Sequence, residues 1–233
     1  MARQVGMEIT GTIENIIFYK RQGKFLLRTV QRQAEASKKA AKNFGQGATK
    51  AKLLRQLLLP FLPNPKDRDM QNRLTPAMRQ LLVLLTEHKA IQPANNPLAG
   101  LSFTPDSNLK DCLLFPWTIT QQSDGNIRMQ LPALNPIDAI VAPPGSTRVE
   151  LQAMAVAFRM DDDQTFAGSH EILMIPYIDE MQPERTVILG MQAETGSLVV
   201  VTVALSYWNG DQRISKEGFM PVEIVAAFKN SGD

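Results

Sequence analysis

The side chains that most often catalyse reactions are few in this sequence, and their spacing does not bring them together. The two histidines, His88 and His170, lie far apart, and neither has a second histidine four residues away, as a helical zinc-binding pair would require. Ser169, His170 and Glu171 are consecutive in a β-rich run, where successive side chains point to opposite faces. These three residues therefore cannot form a local catalytic triad.

Three further features resemble ligand sites only superficially. Residues 45–50 contain two glycines and a lysine but lack the order of a phosphate-binding loop, and a helix-forming segment precedes them where a strand is required. The three aspartates at 161–163 lack the glycine and glutamate of a calcium-binding EF-hand loop, which favours a solvated acidic turn. The single cysteine, Cys112, precedes an apolar run and is expected to be a core residue. The sequence therefore predicts a protein that is not an enzyme and that binds no cofactor or metal.

Charge is divided unevenly along the chain. Residues 1–60 carry twelve basic and three acidic side chains, a net charge of +9, whereas the remaining 173 residues carry a net charge of −7. Such asymmetry is typical of a basic arm that meets a polyanion, or that meets the acidic body of a neighbouring copy. The alternative is a solvated basic face.

Length and hydropathy define the broad class. A chain of 233 residues buries roughly 70% of its unfolded surface, which is enough for a sizeable core. No run approaches the ~18 uncharged apolar residues of a membrane span, and the first residues lack the apolar region of a secretory signal. The expected localisation is cytoplasmic, with no membrane partner.

The first structural element predicted is a β-hairpin. Residues 13–20 and 24–30 are rich in β-branched and aromatic residues, and Gln22 and Gly23 lie between them as a tight turn. A hairpin alone is marginal in water. It must pack on the helices that follow, join a larger sheet, or add to the sheet edge of another molecule.

Helices are predicted next. Residues 34–42 and 49–59 are good helix formers, and Gly45 and Gly47 indicate a break at 44–48. Pro60 ends the second helix, because proline lacks the N–H donor that helix continuation requires. Thr75 and Pro76 are typical of an N-cap and a first helical residue, which predicts a further helix ending near residue 90.

The remainder of the chain is β-rich. A Pro- and Asn-rich stretch at 92–97 suggests a boundary between a basic hairpin-and-helix domain at 1–96 and a β-sandwich domain at 97–233. The run at 198–205 is apolar on both faces and predicts a central strand. The fold class is α+β, with an N-terminal β-hairpin and helical segment followed by an antiparallel β-sandwich. Its strands are predicted at 101–104, 112–120, 127–131, 139–142, 148–158, 165–175, 186–191, 198–207 and 222–228.

The hairpin carries a recognisable pattern. Residues 11–24 read GTIENIIFYKRQGK, and they are followed by Arg28, by Phe44 and Gly45, and by KAKLLR at 50–55. This pattern resembles the opening signature of a family of uncharacterised bacterial proteins that pair a short basic hairpin and helices with a β-rich C-terminal region. The resemblance implies that architecture, and it transfers no catalytic residue.

Two functions from different classes are consistent with these features. The first is a structural protein that self-associates with other copies of itself by sheet-edge addition. The residues expected to bury apolar area in that contact are Ile16, Phe18, Tyr19, Phe25 and Leu27. The second is nucleic-acid binding, in which basic side chains contact the phosphate backbone. The residues expected to do so are Lys20, Arg21, Lys24, Arg28, Lys38, Lys39, Lys42, Lys50 and Lys52.

A third possibility is ligand binding by aromatic side chains of the β-rich region. Aromatic residues in such a body are more often core or rim than ligand contacts. The residues concerned are Trp117, Tyr177, Tyr207 and Trp208.

Overall fold

The computed structural model describes residues 10–29, 35–61, 68–86, 96–104, 106–159, 165–216 and 218–230. The chain forms two compact units, Met1–Lys42 and Asn43–Asp233, and helix α1 (Glu35–Leu58) runs through the division. The predicted domain boundary after residue 96 lies inside the second unit. The helices on its N-terminal side share a hydrophobic core with the strands that follow.

The first unit contains a three-stranded antiparallel sheet in the order β1 (Gly11–Ile13), β2 (Ile16–Arg21) and β3 (Lys24–Thr29). The predicted turn between β2 and β3 is confirmed. Gln22 and Gly23 have φ values of 52° and 76°, the left-handed backbone that a two-residue hairpin turn of type I′ requires. A second tight turn at Glu14 and Asn15, which the sequence analysis missed, separates β1 from β2.

Helix α1 is continuous, so the predicted break at 44–48 is wrong. Gly47 is buried against helix α2 (Arg68–Thr86), and a Cβ atom built on Gly47 would lie 3.2 Å from Cβ of Arg79. When the oxygen of its side-chain amide points towards Arg55, Gln71 accepts two hydrogen bonds, of 3.1 and 3.0 Å, from the guanidinium of Arg55. Because residue 47 faces residue 79 and residue 55 faces residue 71, the two helices run antiparallel. A 3-10 turn (Leu59–Phe61) ends the first of them.

Helix α2 begins seven residues before the predicted N-cap at Thr75, and Pro76 lies in its interior. The prediction was wrong because burial outweighs the local cost of proline. Met70 and Leu74, which precede Pro76, are buried in the core shared with α1 and the sheet. The predicted end of this helix near residue 90 lies outside the described residues.

The second unit contains two antiparallel sheets, which confirms the α+β class. The larger sheet has the order β4 (Leu101–Ser102), β12 (Val222–Lys229), β10 (Leu198–Asn209), β7 (Arg148–Phe158) and β8 (Thr165–Pro176), with β11 (Gln212–Ile214) also paired to β10. The smaller sheet has the order β5 (Thr118–Gln121), β6 (Ile127–Leu131) and β9 (Arg185–Leu189). Two short helices, α3 (Leu109–Cys112) and α4 (Pro136–Ala139), lie in the connections.

Two predicted strands are corrected by the structure. Residues 112–117 of the predicted run 112–120 precede β5, and Cys112 ends α3. The predicted strand at 139–142 is replaced by α4 and an isolated bridge between Leu113 and Ile140. Asn135 favours the helix because its side chain accepts a hydrogen bond from the backbone N–H of Ile137.

The central strands of the larger sheet, β7 and β10, are covered on both faces. Val199, Val201 and Val203 of β10 point into a core shared with the smaller sheet, as do Met129 of β6 and Leu189 of β9. The side chains on the other face of these strands, such as Val200 of β10 and Val156 of β7, point into a second core that they share with α1 and α2. The second unit is therefore three layers: a helical pair, a six-stranded sheet and a three-stranded sheet.

The close approach at Gly47 gives a matched test of the helical pair. Gly47→Leu should lower the free energy of unfolding by about 1–3 kcal/mol, because the new side chain meets the backbone of Arg79. Gly45→Ala should raise it by about 0.5–1 kcal/mol, because no atom lies within 4 Å of the added Cβ. Urea unfolding followed by tryptophan fluorescence measures both, since Trp117 and Trp208 lie in the second unit. Equal stability of Gly47→Leu and the wild type would contradict the close approach.

Candidate self-association surface

The sheet of the first unit has two chemically different faces. Cross-strand partners share a face, and Phe18 pairs with Leu27, Lys20 with Phe25, and Ile13 with Ile16. We call the side of the sheet that carries these residues the apolar face; its apolar members are Ile13, Ile16, Phe18, Phe25 and Leu27. Four of the five residues predicted for self-association lie here, and Tyr19 is on the opposite side.

The apolar face is open to solvent. The exposed fractions are 55% for Ile13, 37% for Ile16, 43% for Phe25 and 65% for Leu27. Neighbouring exposed apolar side chains on one sheet face are typical of an interaction surface, because burying them from water is favourable. The ammonium of Lys20 lies 4.8 Å from the ring centroid of Phe25 and adds a cation to the edge of this face.

The opposite side, which we call the basic face, carries three arginine and lysine side chains. Arg21 pairs with Lys24, Arg28 with Ile17, and Tyr19 with Leu26. The guanidinium of Arg28 lies 5.8 Å from the centroid of the Tyr19 ring. The basic face also carries Ile17 and Leu26, and the apolar face carries Lys20, so the alternation along β2 and β3 places most of the cations on one side without separating them fully from apolar side chains.

The other residues predicted to bind nucleic acid are scattered. Lys38, Lys42 and Lys52 are exposed on α1, and Lys38 forms an ion pair of 2.8 Å with Glu35. The side chain of Lys39 lies outside the part that the structure describes. Lys50 is only 4% exposed, and its ammonium donates a hydrogen bond of 2.9 Å to the carbonyl of Arg159. The prediction for Lys50 is corrected, since an ammonium enclosed in this way cannot reach a phosphate.

A second exposed apolar strip, which the sequence analysis missed, lies on β8. Ile172 and Met174 are 51% and 43% exposed, and β8 is the last strand of the larger sheet. The sequence did give one signal for this strip. The predicted strand at 165–175 follows a predicted strand of the same length at 148–158, with which it could pair. Sequence alone could not show that β8 is the last strand of the larger sheet among the described residues.

The aromatic residues of the second unit are mainly structural. Tyr207 is buried and donates a hydrogen bond of 3.1 Å to the carbonyl of Val141, and Tyr177 donates one of 3.0 Å to that of Ile140. Trp208 stacks beside the guanidinium of Arg148 at 5.0 Å. Trp117 differs, since it lines an apolar cavity of about 270 Å³ with Phe228 and Ile119.

The chemically reactive candidates are not assembled into a catalytic site in the described residues. Ser169, His170 and Glu171 pair with Ala155, Met154 and Ala153, so their side chains alternate between the faces of β8. No group of three or more His, Cys, Asp or Glu side chains suited to a metal occurs within the described ranges. His88 and the aspartates at 161–163 lie outside those ranges.

Cys112 is enclosed in the core of the second unit. Burial raises the pKa of its thiol, and the thiol therefore stays protonated at neutral pH. Burial likewise raises the pKa of Tyr207, whose hydroxyl is a neighbour of the thiol. This environment is that of a packed core residue and not of a nucleophile.

Searches for similar proteins give no relative to compare. No protein-family model, curated protein or solved structure matches the chain. The resemblance to the uncharacterised bacterial family therefore stays a prediction. Within the described residues, none of the helices combines the length and apolar character needed to cross a bilayer.

The burial of Cys112 predicts slow thiol chemistry. In the native protein its reaction with a thiol reagent such as dithionitrobenzoate should be at least about a hundredfold slower than in denaturant, where one thiol per chain should react. The control is Leu114→Cys, which places a second thiol at an exposed position two residues away. Rapid reaction of Cys112 in the folded wild type would contradict its assignment to the core.

Proposed function

We propose that this protein is a non-enzymatic structural protein that self-associates through the sheet of its first unit. The observation that carries the proposal is the apolar face, on which Phe25, Leu27 and neighbouring side chains are exposed together. A three-stranded sheet becomes stable when one face is buried against another surface. A second copy of the chain would supply that surface without any other gene product.

Energetics identify the apolar side chains as the main source of affinity. Full burial of one side chain such as Leu27 or Phe25 contributes about 1.5–3 kcal/mol. A backbone hydrogen bond between strands contributes only about 0.5–1.5 kcal/mol net, because it replaces hydrogen bonds to water. Strand pairing would therefore orient the contact, while apolar burial would hold it together.

Charge supports association between copies. The N-terminal 60 residues have a net charge of +9 and the remaining residues a net charge of −7. In a head-to-tail contact, the basic segment of one copy would meet the acidic region of the next. This attraction accelerates encounter and weakens as salt is added.

The apolar face gives a direct test of self-association. Phe25→Asp should convert oligomers to monomers, because it places a carboxylate in the surface that would be buried. Size-exclusion chromatography with light scattering measures the particle mass at low and high salt. Leu114→Asp, at an exposed apolar position of the second unit, is the control and should leave the mass unchanged. A wild type that stays monomeric at high concentration would refute the proposal, as would unchanged oligomers of Phe25→Asp.

Nucleic-acid binding is a second candidate, favoured by the basic face. Arg21, Lys24 and Arg28 share that face with Tyr19, whose ring could stack on a base. These cations point away from the apolar face. A polyanion would therefore meet these cations on the side opposite the apolar face, where it would compete with carboxylates of a neighbouring copy.

The salt dependence of binding tests this second candidate. Replacing Arg21, Lys24 and Arg28 with alanine should reduce the slope of log K against log salt for duplex DNA by about 2.7, since each phosphate that is no longer neutralised lowers the slope by about 0.9. The matched control is the alanine variant of three exposed basic residues of the second unit, Lys110, Arg185 and Lys229. Absence of binding at low salt, or an equal slope in both variants, would eliminate nucleic-acid binding by this face.

A further inference from the structure

An apolar cavity of about 270 Å³ lies against the C-terminal half of β12. Within the described sheet, β4 pairs only with Glu223 and Ile224 of β12, so the later residues of β12 have no strand beside them on that side. A turn at residues 97–100 precedes β4 and takes the place of further strand pairing. The shortness of β4 therefore accounts for the position of the cavity.

Three segments line this cavity. Residues 225–228 of β12 form one part, Trp117 and Ile119 lie at the start of β5, and Asn96 and Ala99 lie beside the turn before β4. None of the described residues in the lining is charged. A charged ligand would lose its hydration there without gaining an oppositely charged partner. The lining therefore favours a neutral, largely apolar ligand.

Hydrogen bonds tie the three segments together. The side-chain amide of Asn96 donates to the carbonyl of Ala227 at 3.1 Å, which joins the turn before β4 to β12. The side-chain amide of Gln121 donates to Oδ1 of Asn230 at 3.4 Å, which joins β5 to the residue after β12. Sites for small molecules are usually formed before the ligand arrives, and this cavity has that property.

Trp117 gives the cavity a flat apolar surface. It is partly buried and packs, together with Ile119 and Phe228, against the core between the two sheets. Aromatic rings attract one another by offset stacking or edge contacts in addition to the burial of their surface. An apolar cavity of about 150 Å³ is known to bind benzene. A cavity of about 270 Å³ therefore has room for two fused rings.

Asn96 adds a hydrogen-bond donor to the lining. Its side chain is buried, with only 7% of the residue exposed, and Oδ1 accepts a hydrogen bond of 3.0 Å from the N–H of Leu98. The Nδ2 atom carries two hydrogens, and the bond to Ala227 uses one of them. Among the described residues the second N–H has no acceptor. A ligand oxygen or nitrogen would satisfy it, and leaving such a buried donor unpaired is unfavourable.

We propose that this cavity binds a small, neutral, planar aromatic compound of two fused rings, with its rings against Trp117 and a hydrogen-bond acceptor at the amide of Asn96. The site lies wholly in the second unit, so the inference is independent of the proposed self-association through the first unit. Of the four aromatic residues that the sequence singled out in the β-rich region, Trp117 is the one that lines this cavity.

The chain has two tryptophans, and this gives a direct test. In nitrogen–proton NMR spectra, 2-naphthol should shift the indole N–H signal of Trp117, with a dissociation constant at or below about 0.1 mM. The signal of Trp208 should not move, because Trp208 lies at the other end of β10 from Leu198, which pairs with Lys229 near the cavity. Trp117→Phe assigns the two signals. An unmoved Trp117 signal, or equal shifts of both signals, would overturn the inference.

A charged analogue tests the neutral character of the site. The compound 2-naphthoate has the same rings as 2-naphthol but carries a carboxylate in place of the hydroxyl. It should bind at least about tenfold more weakly, because the lining offers no cation to replace the water that the carboxylate loses. Binding of the two compounds with equal affinity would overturn the assignment of a neutral ligand.

Filling the cavity tests where the compound binds. Ala226→Phe should weaken binding of 2-naphthol at least about tenfold, because the new ring occupies the space that the ligand would take. Ala133→Phe, at an exposed position outside the cavity, is the matched control and should bind like the wild type. Ala99→Phe fills the same cavity from the turn before β4 and provides an independent variant, and circular dichroism verifies that each chain is folded. Wild-type affinity in the folded cavity-filling variants would refute the site.

The role of Asn96 is tested with a pair of ligands. Asn96→Ala should weaken binding of 2-naphthol by about two- to tenfold, since one hydrogen bond is lost. It should leave the affinity for naphthalene unchanged, because naphthalene has the same rings and no acceptor. Equal weakening for the two compounds would overturn the assignment of the ligand's acceptor to Asn96.

Discussion

The burial of β10 on both faces is the constraint on which the second unit depends. Every side chain from Leu198 to Tyr207 is buried, so this strand has no solvated face. A sheet with such a strand at its centre requires a layer on each side. The smaller sheet supplies one layer, and the pair α1 and α2 supplies the other. The helices are therefore part of the same core as the strands, although more than sixty residues of sequence separate the end of α2 from the start of β7.

The sheet of the first unit lacks this arrangement. Its apolar side chains at Phe25 and Leu27 are exposed, and its other face is cationic. Whereas the side chains of β10 are buried on both faces, the alternation along β2 and β3 presents an apolar face to water. Exposed apolar surfaces of this kind are typical of interaction sites, and association with another copy is the use proposed for this one.

Local patterns predicted much of the fold, and long-range packing accounts for what they missed. The turn at Gln22 and Gly23 and the strands β6 and β7 follow from residue type and alternation, which act over a few neighbours. The continuity of α1 through Gly47 depends on contact with Arg79, and the position of Lys50 depends on a carbonyl over a hundred residues away. For the candidate site, alternation placed four of the five apolar residues on one face. The position of β8 at the end of the described strand order is a property of the whole sheet, so no local pattern reports it.

The two candidate functions compete for the same cations. If the basic segment of one copy meets the acidic region of the next, as the proposed self-association implies, the charges of Lys24 and Arg28 are partly neutralised by carboxylates of the neighbouring copy. A phosphate backbone would then meet fewer free cations, because a cation held by a carboxylate releases fewer counterions on binding. Self-association and polyanion binding would therefore oppose each other at β3, and an anionic polymer would act on the assembly as a competitor for its basic strand.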